Sequence, residues 1–376
     1  MKIMVGLSGG VDSAVAAYLL KLQGHDVIAG FMRNWDSLAN QDILGNPSLN
    51  QDMCSQEQDY EDAVKVAAKL NIPLYRVDFI KEYWEHVFTY FIKEYERGRT
   101  PNPDLFCNKY IKFDSFKTFA QTHHVDRIAM GHYAKRVDRD GKAYLMLSAD
   151  DNKDQTYFLS QINQAQLAFT LFPLADLSKT EVRTIAKKLD LNVADKKDST
   201  GVCFIGERQF KMFLKNYIPA QKGPIIDIET QRIVGGHEGV YYYTIGQRKG
   251  LGIGGIRNKT NERWFVVRKD VKNNILYVSQ GNENAYLLAD QISLTTLNWI
   301  SDQPPVNVTL TARFHHRQTP LPVQITTLKD DSVVLQFPTP YQALTPGQGA
   351  VLYDGPICLG GGIIDAVYFQ GKTINR

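Results

Sequence analysis

The chain has 376 residues, of which 43% are hydrophobic, 22% charged and 11% aromatic, a composition typical of a folded globular protein and not of a disordered or collagen-like one. Its apolar stretches are short and interrupted, which excludes the roughly 20 consecutive apolar residues of a membrane-spanning helix. A net charge of +3 decides nothing about nucleic acid, because the clustering of basic residues matters there and not their total.

The four cysteines, at positions 54, 107, 203 and 358, include no close pair. This spacing argues against a disulfide scaffold and against a CxxC-type zinc or iron–sulfur site. The N-terminus carries a Gly pair and Asp12 where a secretion signal needs an unbroken apolar core. We therefore expect a protein of the reducing cytoplasm, with two to three domains for this length.

The first half of the chain alternates short apolar runs with helical patterns. Residues 2–7 form an apolar run, and apolar residues then recur at helical spacing over 11–22. We expect the last helix to begin at Ser178, because Ser178 and Glu181 have the spacing of a capping box. The alternation predicts an α/β domain with a doubly wound, mostly parallel sheet. The further predicted strands lie at residues 27–31, 74–79 and 127–130.

The second half is predicted to be mostly β. The helical signal fades after about residue 217, and from residue 223 glycine-rich turns separate β-branched runs. Residues 264–268 and 275–279 are expected to form a hairpin. Apolar residues alternate with polar ones over 306–314, which predicts a strand with one buried face and with Arg313 and His315 on the solvent face.

We place linkers near residues 205–210 and 280–290. They divide the chain into an α/β domain over 1–207, a small central β module over 208–280 and a C-terminal β-barrel-like domain over 281–376. The central module is locally basic, since residues 241–272 carry eight Lys or Arg against Glu262 and Asp270 alone. Its interleaved Tyr, Trp and Phe residues stack on RNA bases or form core, and core is the expected use of at least half of them.

A glycine-rich loop lies between the first predicted strand and the first predicted helix, where backbone N–H groups and the helix dipole favour an anion. It lacks the Gly-Lys-Ser/Thr ending of a Walker A loop and the spacing of the dinucleotide fingerprint. Its SGGxDS pattern resembles the PP-loop of ATP pyrophosphatases, which cleave ATP between the α- and β-phosphates; a tight turn without a ligand is the alternative. Asp12 and Ser13 suit contact with Mg²⁺ and phosphate. The residues of the loop are Gly6, Leu7, Ser8, Gly9, Gly10, Val11, Asp12 and Ser13.

Two cysteines follow turn-forming residues. A lone cysteine is more often a buried small hydrophobe than a nucleophile, and that interpretation suits Cys54 and Cys358. Cys107 differs, because Asp104 precedes it and lysines follow it. Cys203 lies in a Ser-Thr-Gly-Val-Cys segment.

Seven motifs in a fixed order resemble the tRNA-specific 2-thiouridylase family over essentially the whole chain, and they include both of these cysteines. The motifs are GLSGGVDS at 6–13, FMRNW at 31–35, NPDLFCNKYIKF at 102–113, GHYA at 131–134, KDQTYFLS at 153–160, STGVCFIGER at 199–208 and YTIGQRKGLG at 243–252.

The resemblance implies an ATP- and Mg²⁺-dependent 2-thiolation of the wobble uridine, position 34, in tRNAs for Lys, Glu and Gln. Cys203 would carry a persulfide received from a cysteine desulfurase or a sulfur carrier, and Cys107 would be the second catalytic thiol. A Cys107–Cys203 disulfide formed in this reaction would require a cellular reductant. Asp104 would act as general acid or base, or else be an ordinary turn carboxylate.

The same resemblance implies a set of binding residues and no metal-ligating side-chain cluster. At the place of an Arg-Tyr pair that contacts tRNA in the family, this chain has two histidines, whose neutral imidazoles attract phosphate less than Arg does. The implied contacts are Met32 and Gly131 with the adenosine of ATP, Asn102, Pro103 and Asp104 with the target base, and Lys153, Asp154, Gln155, His315 and His316 with tRNA. The basic central module over 208–280 is also expected to bind tRNA.

Two other functions remain open at this point. Another PP-loop enzyme that modifies tRNA, such as one that makes 4-thiouridine, shares the loop. A catalytically silent tRNA-binding or sulfur-relay protein would keep the fold without the reaction. Release of pyrophosphate in the presence of tRNA distinguishes an adenylating enzyme from a silent one.

Overall fold

The computed structural model describes residues 1–46, 49, 55–198, 210–254, 262–281, 284–304 and 306–374. Cys54, Cys203 and nearly all of the linker expected near residues 205–210 lie outside these residues.

Helices dominate the first half of the described chain. A π-helical segment, Trp84–Phe88, joins α3 to α4, and a second, Cys107–Ser115, joins α5 to α6. Short 3-10 helices occur at Val240–Tyr242 and Ala285–Leu287. The α-helices are α1 Val11–Leu22, α2 Ser55–Leu70, α3 Ile80–Tyr83, α4 Thr89–Glu96, α5 Pro103–Phe106, α6 Phe116–Thr122, α7 Thr156–Leu159, α8 Gln164–Ala168, α9 Lys179–Lys188 and α10 Phe210–Leu214.

Strands form three sheets. They are β1 Lys2–Gly6, β2 Asp26–Arg33, β3 Leu74–Asp78, β4 Arg127–Ala129, β5 Lys135–Arg139, β6 Lys142–Met146, β7 Thr170–Leu171, β8 Gly223–Asp227, β9 Ile233–His237, β10 Trp264–Asp270, β11 Ile275–Gln280, β12 Leu288–Trp299, β13 Thr309–Arg313, β14 Leu321–Leu328, β15 Val333–Gln342, β16 Gly349–Asp354, β17 Ile357–Phe369 and β18 Lys372–Ile374.

The first sheet has the order β3-β2-β1-β4-β7, and all of its pairings are parallel. Side chains alternate across β1, so Ile3 and Val5 pack into one core with residues of α1, α2 and α9, while Met4 packs into a second core with the helices between residues 80 and 122. Helices therefore cover both faces, which confirms the doubly wound α/β domain. The capping box at the start of α9 is also confirmed, with reciprocal bonds between Ser178 and Glu181.

A four-stranded sheet of order β10-β11-β8-β9 forms the central module. The hairpin expected across Asn273 and Asn274 is confirmed by the antiparallel pairing of β10 and β11. Of the aromatic residues in the basic segment, Trp264, Tyr242 and Tyr243 are buried, which confirms that most of this set serves as core.

The C-terminal region is a closed, six-stranded antiparallel barrel. Its strands follow the order β12-β15-β14-β13-β16-β17, and pairing of β12 with β17 closes the ring. The β5–β6 hairpin of the first domain continues this sheet, because β6 pairs with β17. The sequence predicted the barrel but not this shared edge.

The strand expected over residues 306–314 is shorter in the structure, and Arg313 was wrongly assigned to its solvent face, whereas His315 is exposed as expected. Asn307 has a left-handed backbone, with φ of 62°, so extended pairing begins only at Thr309, and Val308 is exposed. Arg313 is only 7% exposed. It is buried because this end of β13 packs against the first domain, where Asp154 neutralises it.

No helix among the described residues combines the length and the apolarity needed to cross a membrane.

Candidate active site

The glycine-rich loop, which we call the PP-loop (residues 6–13), connects β1 to α1 at the carboxyl edge of the parallel sheet. Gly9 requires its residue type, because its φ is 72° and a Cβ there would lie 2.1 Å from the Asp59 carbonyl oxygen. Gly10 caps α1 without a side chain, and a Cβ there would meet only the Ser8 hydroxyl, at 3.4 Å. The first N–H groups of α1 therefore border open space that suits an anion.

Hydroxyl groups and a lysine hold the loop in this shape. The Ser13 hydroxyl accepts a hydrogen bond from the Ser8 backbone N–H and donates one to the Gly10 carbonyl, both at 3.1 Å. The Lys196 ammonium donates to the Gly9 carbonyl at 2.9 Å and also binds Asp59 and Asp62. These hydrogen bonds fix the backbone of the loop at Ser8, Gly9 and Gly10.

The residues expected around adenosine surround the start of this loop. A Cβ on Gly6 would lie 2.8 Å from the sulfur of Met130 and 3.1 Å from the terminal methyl of Met32. Gly131 follows β4, and a Cβ there would lie 2.7 Å from the backbone nitrogen of Ser13. The structure therefore brings Met32 and Gly131 to the PP-loop, although they are far from it in sequence.

An ion network lies beside the first turn of α1. The Lys179 ammonium contacts the two oxygens of Asp12 at 2.7 and 2.8 Å and one oxygen of Asp198 at 2.8 Å. Tyr133 donates its hydroxyl hydrogen to Asp12 at 2.9 Å. Although burial alone raises the pKa of Asp198, the hydrogen bonds from Lys153 and Lys179 lower it to about 2.

Sequence reasoning missed Lys179. It follows the N-cap Ser178 that the capping pattern identified. Nothing in that pattern places the first residue of a helix against a loop near the start of the domain's sequence. Only the packing of α9 on α1 makes that contact.

The Asp104–Cys107 turn carries two of the side chains expected to take part in the reaction. Asn102 caps α5 by accepting a hydrogen bond from the Asp104 backbone N–H at 3.1 Å, with Pro103 at the first helical position. One turn later Cys107 is 1% exposed. Burial raises the pKa of the Asp104 carboxyl against an opposing contribution from Lys112.

The π-helical segment that begins at Cys107 contacts His132, because the ring centroids of Phe113 and His132 lie 5.7 Å apart. Lys112 lies in the same segment. Its charge acts on Asp104 and also on His132, whose pKa burial holds well below its usual value. His132 directly follows Gly131, and its Nδ1 is buried without a hydrogen-bond partner among the described residues. The segment that follows the Asp104–Cys107 turn therefore packs against His132, next to Gly131 at the PP-loop.

The residues expected to contact tRNA separate into different environments. Lys153 binds Asp198 at 2.6 Å, and Gln155 accepts a hydrogen bond from the Tyr133 backbone at 3.0 Å. Asp154 is 2% exposed and accepts hydrogen bonds from Arg313 at 2.8 Å and from Thr156 at 2.6 Å.

The histidine pair, His315 and His316, follows β13 of the barrel. His315 is exposed, and the His316 ring stacks near Phe158, with ring centroids 4.6 Å apart. Burial, followed by the nearby charges of Arg317, Arg313 and Lys153, lowers the pKa of His316 to about 4. The imidazole is therefore neutral at pH 7.

Cys358 is buried in the barrel, where burial raises the pKa of its thiol to about 12. It remains protonated at neutral pH and is unsuited to nucleophilic chemistry.

Three family models match the chain. They are described as a tRNA methyl transferase HUP domain over residues 1–207, a tRNA methyl transferase PRC-barrel domain over 211–280 and an aminomethyltransferase beta-barrel domain over 289–364.

Curated relatives match over nearly their full length, and each is named tRNA-specific 2-thiouridylase MnmA. The protein of Mycoplasma capricolum subsp. capricolum is 54% identical over 374 residues, covering 97% of this chain and 99% of its own. That of Metamycoplasma arthritidis is 51% identical over 372 residues, covering 99% and 98%. That of Geobacillus thermodenitrificans is 49% identical over 374 residues, covering 99% and 97%.

Proposed function

The chain belongs to the tRNA-specific 2-thiouridylase family, and we propose that it replaces the C2 oxygen of the wobble uridine by sulfur in tRNAs for Lys, Glu and Gln, using ATP. The observation that carries this proposal is the packing of the Gly131–His132 segment against both the PP-loop and the π-helical segment that begins at Cys107. A phosphate-binding loop next to a thiol serves activation of an oxygen followed by sulfur transfer.

ATP would be held by the PP-loop, Met32 and Gly131. The loop fits a phosphate, because Gly10 leaves open space beside N–H groups and the Ser8 hydroxyl. A PP-loop lacks the lysine of a Walker A loop, and Lys179 would supply that positive charge from α9, since its ammonium already lies at the first turn of α1. Gly6 keeps the adenosine side open between the two methionines.

Mg²⁺ would be held by Asp12 together with phosphate oxygens of ATP, because Mg²⁺ commonly uses one or two carboxylates plus substrate phosphates. The described residues contain no group of three or more His, Cys, Asp or Glu side chains arranged to hold a metal. Bound Mg²⁺ would neutralise charge on the phosphates during adenylation.

The chemistry begins with transfer of AMP from ATP to the C2 oxygen, which releases pyrophosphate and makes that oxygen a good leaving group. The terminal sulfur of a persulfide on Cys203 then attacks C2 and AMP leaves. The Cys107 thiolate attacks the Sγ of Cys203, so the nucleoside keeps the sulfur and a Cys107–Cys203 disulfide forms. A cellular dithiol restores both thiols.

Asp104 would move a proton in these steps. Its raised pKa, caused by burial, brings the carboxyl closer to the neutral pH at which general acid–base catalysis is efficient. Its place one turn before Cys107 puts it beside the reacting thiol.

The tRNA would bind over the region between Lys153, Gln155 and the histidine pair, with Asn102 and Pro103 at the target base. Asp154 is buried against Arg313. It would therefore act on tRNA binding indirectly, by holding Arg313 in place. Neutral His316 would contribute hydrogen bonding and stacking in place of a cationic phosphate contact.

The proposal is tested by incubating the protein with unmodified tRNA for Glu, Mg-ATP, cysteine and a cysteine desulfurase, with sulfide as a parallel donor, and analysing the digested nucleosides by chromatography and mass spectrometry. We expect 2-thiouridine. Formation of 4-thiouridine would keep the enzyme class and overturn the site, while tRNA binding with neither thionucleoside nor pyrophosphate release would indicate a silent binder.

Cysteine variants assign the thiols in the same assay. Cys107→Ser and Cys203→Ser should each abolish 2-thiouridine formation and leave tRNA binding unchanged. Cys358→Ala is the matched control, because this thiol is buried and protonated, and it should retain activity. Undiminished thiolation by either serine variant removes that cysteine from the reaction.

A further inference from the structure

A cavity of about 580 Å³ lies where the α/β domain, the central module and the barrel meet. Its wall combines the turn after α4 at residues 97–99, the end of β10 with its hairpin turn at 268–272, and barrel residues near 345 and 365. This volume is within the roughly 300–1,000 Å³ range of small-molecule sites. The stretch 268–272 belongs to the basic central module expected to bind tRNA, and no residue assigned above by name to ATP, the target base or tRNA lines the cavity.

The lining is rich in cations. It contains five basic residues against two acidic ones, Asp270 and Asp365. The basic residues are Arg97, Arg99, Arg268, Lys269 and Lys272.

The carboxylates near the cavity are already engaged. Asp365 contacts Arg99, and the buried Glu94 lies 3.0 Å from Arg97 and 3.5 Å from Arg99. Asp270 accepts two hydrogen bonds from Asn273 across the hairpin turn, at 3.0 and 2.9 Å. Arg99 is thus neutralised and Arg97 shares Glu94 with it, while Asp270 offsets part of the charge of Arg268 and Lys272. The five cations still outnumber these three carboxylates.

The direct contacts of Arg268 and Lys269 are with neutral groups. The Lys269 ammonium, buried in the module, donates to the Tyr243 carbonyl at 2.7 Å. The Arg268 guanidinium lies 3.9 Å from the centre of the Tyr277 ring, and its Nε is buried without a hydrogen-bond partner among the described residues. Lys272 is exposed at the rim. A buried ammonium that meets only a carbonyl gains from an added anion.

We infer that this three-domain cavity is a second anion site, separate from the PP-loop, that binds a phosphate group through Arg97, Arg268, Lys269 and Lys272. The phosphate has two sources with the same chemistry, an RNA backbone or a free phosphate. If the site binds the phosphate of an RNA backbone, the inference rests on the proposed function. If it binds free phosphate, it does not.

The RNA source is tested through the salt dependence of tRNA binding by the full chain. The variant Arg97→Gln/Lys272→Gln removes two rim charges, and Lys222→Gln/Arg232→Gln removes two exposed charges of the same module outside the cavity. If RNA phosphate binds here, the slope of log Kd against log [NaCl] falls by about 1 to 2 for the cavity pair. The slope of the matched control pair stays that of the unchanged protein.

The free source is tested with inorganic phosphate while the PP-loop is saturated with α,β-methylene ATP. Phosphate that binds the folded protein raises its unfolding temperature. We expect this rise, measured against NaCl of equal ionic strength, to be lost in the cavity pair and kept in the control pair.

Each outcome decides the inference. A slope change confined to the cavity pair assigns RNA phosphate, and loss of phosphate stabilisation confined to that pair assigns free phosphate. No difference in either assay, or equal changes in both pairs, overturns the site. If the unchanged protein binds no tRNA, the proposed function fails, and the phosphate assay still decides the cavity.

Discussion

The PP-loop and the contact between the α/β domain and the barrel both hold ionised side chains, but solvent reaches them differently. At the PP-loop the side chains of Lys179 and Asp12 are 12% and 32% exposed, and that of Asp198 is 33% exposed. Between the domains, the side chains of Asp154 and Arg313 are 1% and 8% exposed.

The difference separates two uses of charge. Lys179 has two carboxylate partners that are 32% and 33% exposed. It can exchange one of them for a phosphate at modest cost, because water screens the carboxylate left behind. A buried pair cannot exchange partners, since the unpaired charge would remain desolvated. The first arrangement suits substrate binding, and the second suits a fixed domain orientation.

The largest effect is expected from breaking the buried pair on one side. Arg313→Met leaves the Asp154 carboxylate buried without its cation and should lower the free energy of unfolding by about 3–5 kcal/mol, whereas the double variant Asp154→Leu/Arg313→Met should recover much of that loss. Urea denaturation measures both. Lys135→Met, which breaks an exposed pair with Asp176, is the control and should cost less than about 1 kcal/mol. A single-variant cost as small as this control would show that the pair does not hold the domains.

The next effect concerns ligand binding and not stability. Lys179→Met removes a charge-assisted contact worth about 1.5–3 kcal/mol, so KM for ATP in tRNA-dependent pyrophosphate release should rise roughly 10- to 150-fold. Lys187→Met, on the same helix and paired with exposed Asp195, should leave KM unchanged. Equal KM values for both variants would refute the phosphate role of Lys179.

The smallest effect tests a buried cation that has no carboxylate partner. Burial lowers the pKa of Lys269 to about 7, while the unfolded chain has the usual value of about 10.4. Between these values the unfolded state binds more protons, so the free energy of unfolding should rise with pH, by up to about 1.4 kcal/mol per pH unit. Urea denaturation between pH 7.5 and 9.5 measures this slope, and Lys269→Met should flatten it. An unchanged slope in that variant would mean that Lys269 keeps its proton in the folded state.

The parts of the fold that local patterns determine were predictable. The PP-loop depends on neighbouring residues alone, because the strand, the glycine with positive φ and the helix start are consecutive in the chain. The same holds for the α9 capping box and the β10–β11 hairpin. The prediction that Arg313 is exposed was wrong because it depends on residues remote in the chain. Period-two alternation assumes that one face of a strand meets solvent, and here another domain covers that face at Arg313.

The amino-acid sequence by itself determined the α/β domain, the barrel, the phosphate-binding loop and the family, because each depends on residue type, local spacing or motif order. Only the tertiary structure decided which charges meet. It placed Lys179 against Asp12, Asp154 against Arg313, and the cations of β10 around a three-domain cavity. Ion pairing and burial depend on distances between residues remote in the chain, and a one-dimensional pattern contains no such distances.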